Sequence, residues 1–195
     1  MYSYWGHRFE HMVMTGNDPT MTLEAVFKEP VNTWKEFGIV LKGKLGQHRL
    51  IFGAEVDGLD SDGSTYVELK TSRVLKDASN VNQFYQKKLM TFWAQSFLAG
   101  IPKILIGFRS DSGIVKSIEY IEVNEIPRIT RGKVSWCPET MLNFGTVFLD
   151  WLAKQMHQLP EELVYSMSCN GTSIELTESS HPPFVPKEFA NAMYY

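Results

Sequence analysis

The segments GAEVDG (Gly53–Gly58) and ELK (Glu68–Lys70) decide the interpretation of this chain, because each places charged side chains in a short apolar stretch. Ten residues separate the aspartate of the first segment from the glutamate of the second. Side chains alternate along a β-strand, so Glu55 and Asp57 share one face of the first segment. The glutamate and the lysine of ELK likewise share a face. Two neighbouring strands of this kind gather three carboxylates and one ammonium group on one surface.

A direct hairpin between the two segments predicts where these carboxylates meet. If Gly58 lies opposite Thr65, then Glu55 lies opposite Glu68. Like charges that face each other across strands are destabilising. A divalent cation bound by several carboxylate oxygens is the usual counter-charge. The alternative is an exposed pair of strands whose polar faces meet water.

The order of predicted elements indicates one α/β (α+β) domain over residues 1–195, with a mixed, largely antiparallel central sheet flanked by helices. The segment 17–34 contains two prolines and no sustained periodicity, so it is predicted to be mostly loop. The tail 179–193 is rich in proline and is predicted to end in one helical turn. Helices are predicted over residues 1–14, about 79–99 and 138–159. Strands are predicted over 37–59 with a turn near 43–47, over 65–73, 103–110 and 114–123, and over 163–178 as a hairpin that turns at Asn170-Gly171.

Composition limits the class of function. The chain has 195 residues, of which 44% are hydrophobic, and a formal net charge of −3. It can bury a substantial core, and its charge argues against a protein that coats nucleic acid through bulk positive charge. No apolar run approaches the ~20 residues of a membrane span, so no membrane partner is expected. Cys137 and Cys169 fit no metal-ligand spacing and are predicted to be ordinary thiols in a reducing, intracellular compartment.

Short basic clusters are compatible with a local pocket that binds a nucleic-acid end. The alternative for each is a solvated surface of mixed charge. The clusters are Lys42, Lys44, His48 and Arg49, then Lys70, Arg73 and Lys76, then Lys87 and Lys88.

The order of "ExD", ten residues and "ExK" resembles the active-site pattern of the PD-(D/E)xK nuclease superfamily. In that chemistry the carboxylates hold one or two Mg²⁺ or Mn²⁺ ions, which stabilise charge on a phosphate and supply a hydroxide nucleophile. The lysine orients the attacking water or neutralises developing negative charge. Gln95 follows on the next predicted helix, where several such nucleases carry a glutamine. The alternative for Gln95 is a simple helix-surface amide.

The chain as a whole resembles the DXO family, eukaryotic enzymes that survey RNA 5′ ends. The resemblance includes fungal nuclear members that partner an XRN-type 5′→3′ exoribonuclease, and it runs through the tail PPFVPKEFANAM. Its motifs, in this order, are GHRFE (6–10), GAEVDG (53–58), YVELKTS (66–72), WAQSFLAGIP (93–102) and GFR (107–109).

The resemblance implies a role for each of seven positions. Glu10 corresponds to an acidic residue on a helix that borders the metal site. Lys70 and Gln95 correspond to the residues that act at the scissile phosphate and the nucleophilic water. The implied metal ligands are Glu10, Glu55, Asp57, Glu68 and the backbone carbonyl of Leu69.

The resemblance also implies the reactions. They are pyrophosphohydrolase activity on 5′-triphosphate RNA and removal of incomplete or NAD-type caps, each giving a 5′-monophosphate RNA. An XRN-type 5′→3′ exoribonuclease is then the expected partner and the nucleus the expected location. The family carries an arginine motif before GHRFE that helps to hold the RNA 5′ end, and only five residues precede Gly6. The chain is therefore expected to be the C-terminal part of a longer protein, or one that lacks the N-terminal segment.

Two alternatives remain open. The first is a PD-(D/E)xK nuclease that acts on DNA. The second is a mainly non-catalytic partner that stabilises and stimulates an exoribonuclease, although the carboxylates and Lys70 are intact. The five histidines show no ligand spacing and are given no role.

Overall fold

The structure is a computed structural model that describes residues 2–15, 20–34, 36–186 and 188. The backbone divides into two compact units, Met1–Thr146 and Val147–Tyr195. The helices are α1 (Tyr2–Thr15), α2 (Leu23–Lys28), α3 (Ala78–Gln83), a π-helix (Phe84–Lys88), α4 (Leu89–Leu98), a 3-10 turn (Val123–Glu125), α5 (Ile126–Thr130) and α6 (Pro138–Met156). The strands are β1 (Gly38–Leu45), β2 (His48–Glu55), β3 (Gly58–Leu59), β4 (Tyr66–Arg73), β5 (Lys103–Arg109), β6 (Val115–Glu122), β7 (Tyr165–Cys169) and β8 (Ile174–Glu178).

A four-stranded mixed sheet forms the centre of the first unit, in the order β3-β4-β5-β6. β4 and β5 are parallel because the chain between them crosses over through α3, the π-helix and α4, whereas the outer two pairings are antiparallel. β1 and β2 form a separate antiparallel hairpin. Its turn includes Gly46, whose φ of 58° is the left-handed conformation that glycine adopts without steric cost. The predicted α/β (α+β) class with a mixed, largely antiparallel sheet is confirmed.

Two apolar clusters cover the two faces of this sheet. On one face, Phe84, Leu89 and Phe92 of the crossover pack with Ile104 and other β5 residues. On the other face, Phe9 of α1 packs with Val67, Leu69 and Leu105. The two clusters fix α4 and α1 on opposite sides of β4.

Gly107 lets α1 come close to the sheet. A Cβ atom at this position would stand 2.6 Å from the nearest ring atom of Phe9. That ring is buried, with 6% of its residue surface exposed. Any side chain on Gly107 would therefore push α1 away from β5.

The predicted direct hairpin between GAEVDG and ELK is wrong. β2 pairs along its length with β1, so that Glu55 lies opposite Gly38, and the Val56 N–H extends the pairing by donating to the Phe37 carbonyl at 2.9 Å. Only the two residues of β3 pair with β4, with Gly58 opposite Val67.

The turn between β3 and β4 sets this register. The Asp62 carboxylate accepts bonds from the Ser64 and Thr65 N–H groups, both at 2.8 Å. The Asp60 N–H donates to the Thr65 carbonyl at 2.8 Å. Asp60, rather than Gly58, is therefore the partner of Thr65, two residues away from the predicted register.

Three further differences concern helices. The segment predicted as mostly loop contains α2, which Thr22 caps by accepting the Ala25 N–H. The predicted helix over 79–99 is interrupted by the π-helix Phe84–Lys88, in which the Leu89 N–H bonds to the Phe84 carbonyl. The short helix α5 was not predicted at all.

The second unit contains the end of α6 and the hairpin of β7 and β8. The hairpin turns where predicted, because Asn170 Oδ1 accepts the Thr172 and Ser173 N–H groups at 3.0 and 2.8 Å. Most of the predicted final helical turn lies outside the described residues. Within the described ranges, none of the helices combines the length and the apolar character that a membrane crossing needs. One catalytic domain over residues 1–195 stays a prediction.

Candidate active site

Strand β4 presents Glu68 and Lys70 toward α4. The Lys70 ammonium forms an ion pair with Glu68 Oε1 and lies 5.9 Å from the centre of the Phe92 ring. Glu68 is buried, with 8% of its surface exposed. The lysine is thus held between a buried carboxylate and an aromatic face, which limits its range of motion.

Asp57 links the end of β2 to β4. Its Oδ2 atom accepts the backbone N–H of Leu69 at 2.6 Å, across 12 positions of sequence. A residue in an extended strand directs its N–H and its C=O to the same edge. The Leu69 carbonyl, a predicted metal ligand, therefore faces the edge of β4 at which Asp57 lies.

Glu10 reaches this edge from α1. Its neighbour Phe9 is buried among β4 and β5 residues, which fixes the helix on the sheet. Glu10 Oε2 lies 3.5 Å from Nδ1 of His7, one helical turn earlier. The side chain of Glu10 is about one-third exposed, at 33%. Lys70 and Glu55 both influence the pKa of Glu10, so this acidic residue lies near them, and its role as a metal ligand stays a prediction.

The electrostatics show which carboxylates are neighbours. Burial is the main cause that raises the pKa values of Glu10, Asp57 and Glu68, and the Lys70 ammonium opposes the rise in all three. The Glu55 carboxylate raises the pKa values of Glu10 and Asp57 further. The Asp57 carboxylate does the same for Glu68. Four acidic side chains and one lysine thus share one electrostatic environment.

The acidic side chains do not converge on one point. Within the described ranges, no three carboxylate, imidazole or thiol groups stand where together they would hold a metal ion. Glu68 turns one oxygen toward Lys70, and Asp57 turns one oxygen toward the Leu69 N–H. Glu55 is exposed at the end of β2. Metal binding would therefore require side-chain rotation, and the ligand roles of these residues stay predictions.

Gln95 lies on α4 with an exposed side chain. It follows Phe92 by three residues, which places it one helical turn beyond the ring that contacts Lys70. Its role at the scissile phosphate and the nucleophilic water stays a prediction.

Two residues at the site were missed in the sequence. Phe92 was assigned only to the apolar face of its helix, and His7 was given no role. The signal for His7 was its three-residue spacing from Glu10, which places both on one helix face. No comparable signal marks Phe92, because its contact with Lys70 depends on how α4 crosses β4.

Comparison with known proteins relates this chain to a family. Residues 1–190 match the RAI1 like PD-(D/E)XK nuclease family. A decapping nuclease RAI1 of Aspergillus fumigatus is 36% identical over 165 residues, which are 78% of this chain and 45% of that protein.

Two crystal structures share the fold. Rai1 of Scheffersomyces stipitis in complex with (3′-NADP)⁺ and calcium ion has a TM-score of 0.76 and 26% identity, covering 91% of this chain and 49% of that one. Rai1 of Candida albicans in complex with pU5-Mn²⁺ also has a TM-score of 0.76 and 26% identity, covering 91% and 51%. The chain spans about half the length of the curated relatives it matches.

Proposed function

This chain belongs to the RAI1 like PD-(D/E)XK nuclease family, and from that premise we propose that it is a metal-dependent hydrolase of RNA 5′ ends. The observation that carries the proposal is the geometry of β4, where Glu68 pairs with Lys70 and Asp57 accepts the Leu69 N–H, with Glu10 and Glu55 near enough to influence this environment. Such a set of acidic groups beside a lysine serves phosphate chemistry, in which negative charge develops at phosphorus and must be neutralised.

The donor set fits a hard divalent cation. Carboxylate and carbonyl oxygens are the ligands that Mg²⁺ and Mn²⁺ prefer. We propose that Glu10, Glu55, Asp57, Glu68 and the Leu69 carbonyl hold one or two such ions. When bound, the ions supply a water molecule of lowered pKa and stabilise charge on the phosphate oxygens.

The residues of the chain itself have distinct tasks in this proposal. Glu68 holds Lys70 by their ion pair, and Phe92 supports the lysine from the other side. The Lys70 ammonium is thereby placed to neutralise negative charge on the phosphate. The exposed side chain of Gln95 is free to contact the phosphate or the attacking water. The Leu69 N–H orients Asp57.

The proposed reaction is attack of water on a phosphorus near the RNA 5′ end. On a 5′-triphosphate, water attacks the phosphorus attached to the first nucleoside, the bond to the next bridging oxygen breaks, and pyrophosphate leaves. On an incomplete or NAD-type cap, water attacks the phosphorus that joins the first two nucleotides, the bond to the 3′ oxygen of the first nucleotide breaks, and the cap leaves with that nucleotide. Each product is a 5′-monophosphate RNA. Two relatives support this substrate class, because Candida albicans Rai1 binds pU5 with Mn²⁺ and Scheffersomyces stipitis Rai1 binds (3′-NADP)⁺ with calcium.

Product analysis tests the proposal. The protein is incubated with Mg²⁺ or Mn²⁺ and with triphosphate RNA, unmethylated-cap RNA, NAD-capped RNA or duplex DNA. We expect 5′-monophosphate RNA from the RNA substrates and its loss in the double variant Glu55→Gln with Asp57→Asn. Glu119→Gln, an exposed carboxylate on β6, is the matched control. Cleavage confined to DNA would establish the DNA nuclease instead, and full activity in the double variant would remove the metal-site assignment.

We further propose that the 5′-monophosphate product passes to an XRN-type 5′→3′ exoribonuclease in the nucleus. The chemistry supports this order, because an exoribonuclease that requires a 5′-monophosphate is blocked by triphosphates and caps. Size-exclusion chromatography with a purified exoribonuclease tests the complex, and microscopy of the tagged protein tests the location. Stimulation of the exoribonuclease by the Glu55→Gln, Asp57→Asn variant would establish the non-catalytic partner role.

A further inference from the structure

Lys88, the last residue of the π-helix, lies in unusual surroundings for a half-buried lysine. Its ammonium makes one hydrogen bond in the described part of the chain, to Ser72 Oγ at 3.2 Å. Ser72 is itself buried, with 2% of its surface exposed. A lysine that only stabilises the fold is normally paired with a carboxylate when it is buried. The described carboxylates form no ion pair with Lys88.

The groups that do surround Lys88 are cations. Burial lowers the pKa of Lys88, and the guanidinium groups of Arg109 and Arg73 lower it further. Arg109 is buried at 7% exposure and stacks on the Trp5 ring, 4.3 Å from its centre. Three positive charges therefore lie close together at this point of the fold, and bringing them together costs free energy.

These cations line a cavity of about 320 Å³. Asn80 and Gln83 of α3 contribute amide groups to the lining, and Ser72 contributes its hydroxyl. In the described part of the chain, no carboxylate lines this cavity. All these polar groups can donate hydrogen bonds to an anion.

Asp111 offsets only part of this charge, from the rim, where Lys76, Arg73 and Arg109 lower its pKa. It is exposed, and it is shared between Arg73 at 2.8 Å and Lys76 at 3.2 Å. One exposed carboxylate thus faces two exposed cations at the rim, while Lys88 and Arg109 lie deeper. An anion that entered the cavity would face the Lys88 ammonium, with which the described carboxylates form no ion pair.

The cavity adjoins the candidate active site along β4. Ser72 follows Lys70 by two residues on the same face of the strand, a distance of about 7 Å. The Lys88–Ser72 contact and the Lys70–Glu68 contact therefore follow each other along one face of β4. A nucleic-acid chain with one phosphate at Lys70 can reach the cavity with a neighbouring phosphate.

We propose that Lys88, Arg73 and Arg109, with the Ser72 hydroxyl and the amides of Asn80 and Gln83, form a binding site for a backbone phosphate of the RNA chain. The proposal rests on the proposed function for the identity of the chain that it binds. The site would hold the substrate in register, with the scissile phosphate at Lys70. Lys88 is a binding residue in this proposal and takes no part in bond cleavage.

Affinity for a short RNA tests the proposal without any turnover. Binding of a fluorescent 5′-monophosphate pentanucleotide is measured by anisotropy in EDTA, at several salt concentrations, for Lys88→Met and for the matched control Lys87→Met. Lys87 is the adjacent, exposed lysine of the same helical segment and does not line the cavity. We expect Lys88→Met to bind roughly tenfold more weakly, with a salt slope shallower by about 0.7, the value of one single-strand phosphate contact. Equal affinities for the two variants would overturn the proposal.

Two additional measurements separate this role from a structural one and from the proposed function. Lys88→Met is expected to keep or raise the melting temperature, because it removes a charge from a cationic cluster. Should Lys88→Met fold poorly, Arg73→Gln, whose partner Asp111 keeps Lys76, is expected to show the same loss of affinity. Hydrolysis is scored separately by 5′-monophosphate RNA formation. Suppose that the protein hydrolyses RNA 5′ ends but its Lys88→Met and Arg73→Gln variants bind RNA as tightly as wild type. The proposed phosphate site is then overturned, while the proposed hydrolase function stands.

Discussion

The backbone N–H of Leu69 donates a 2.6 Å hydrogen bond to the carboxylate of Asp57. This bond joins the two acidic segments even though their strands pair with different partners. It occupies the place that a backbone carbonyl of a neighbouring strand would take in a continuous sheet. Asp57 therefore completes the edge of β4 and at the same time belongs to the candidate active site.

Substitution of Asp57 separates these two tasks. In Asp57→Asn the amide oxygen still accepts the Leu69 N–H, so the free energy of unfolding is expected to stay within about 0.5 kcal/mol of wild type. In Asp57→Ala the N–H loses its acceptor, at a cost of about 1–3 kcal/mol. Both variants are expected to lose Mn²⁺ binding. Urea unfolding in EDTA measures the stabilities, and a Mn²⁺ titration measures metal binding. Equal free energies of unfolding for Asp57→Asn and Asp57→Ala would show that the hydrogen bond does not stabilise the fold.

The Lys70–Glu68 pair is expected to behave as a unit. Lys70→Met leaves a buried carboxylate without its ammonium partner and is expected to cost about 1–3 kcal/mol of unfolding free energy. The double variant Glu68→Gln with Lys70→Met removes both charges and is expected to be more stable than Lys70→Met alone. A double-mutant cycle from urea unfolding gives the coupling. Additive costs would mean that the two side chains do not stabilise each other.

Glu10 is expected to make the metal-free protein less stable as the pH rises. Burial, which His7 and Lys70 only partly offset, raises the pKa of Glu10 above its ordinary value of 4.5. A carboxyl with a raised folded-state pKa contributes its full stability below the unfolded pKa and loses it as the pH passes the folded pKa. Glu10→Gln lacks this loss. The melting temperature of wild type relative to Glu10→Gln, measured in EDTA, should therefore fall from pH 4 upward; a constant difference would contradict the expectation.

Gly107→Ala is expected to destabilise the packing of α1 against β5 and so to lower the free energy of unfolding. The added methyl group would stand 2.6 Å from the Phe9 ring, and such overpacking costs about 1–3 kcal/mol. The control is Gly6→Ala, also an added methyl group, which meets nothing within 4 Å and is expected to be neutral or stabilising. Urea unfolding measures both, and a harmless Gly107→Ala would mean that Phe9 moves without cost.

Gln95→Ala is expected to change catalysis and not stability. The side chain is exposed on α4, so its removal should alter the free energy of unfolding by no more than about 0.5 kcal/mol. If Gln95 acts at the phosphate or the water, product formation should fall on the order of 10²-fold. Thr91→Ala, exposed on the same helix, is the control. Unchanged product formation would leave Gln95 a helix-surface amide.

Much of the fold follows from local pattern. Turn residues between short apolar segments predicted β4, β5 and β6, and they also predicted the hairpins at Gly46 and Asn170. The register of the acidic segments could not be read in the same way. It depends on whether β2 pairs with β1 or β4, and both choices satisfy the alternation of Glu55 and Asp57. The turn that Asp62 organises decides between them.

The candidate site, like the fold, could be predicted only where its residues lie close together in the sequence. The spacing within GAEVDG and ELK predicted that carboxylates and Lys70 would gather, because each segment is local. Glu10 came from the family resemblance alone, since its approach depends on Phe9 packing against Gly107 from a distant part of the chain. The cavity beside Lys88 combines residues from β4, α3, the π-helix and β5, and the sequence marked it only as two short basic clusters.

The π-helix at Phe84–Lys88 holds about one residue more than the α-helical turn that it replaces. The extra residue widens this turn locally, so α3 and α4 present the faces that an uninterrupted helix would present. Deleting one of these five residues is therefore expected to give a regular α-helical turn and to leave the rotation of α3 relative to α4 unchanged. A deletion within α4 would instead rotate the residues on its two sides by about 100° relative to each other. Tolerance of a change in chain length is thus confined to five positions of this crossover.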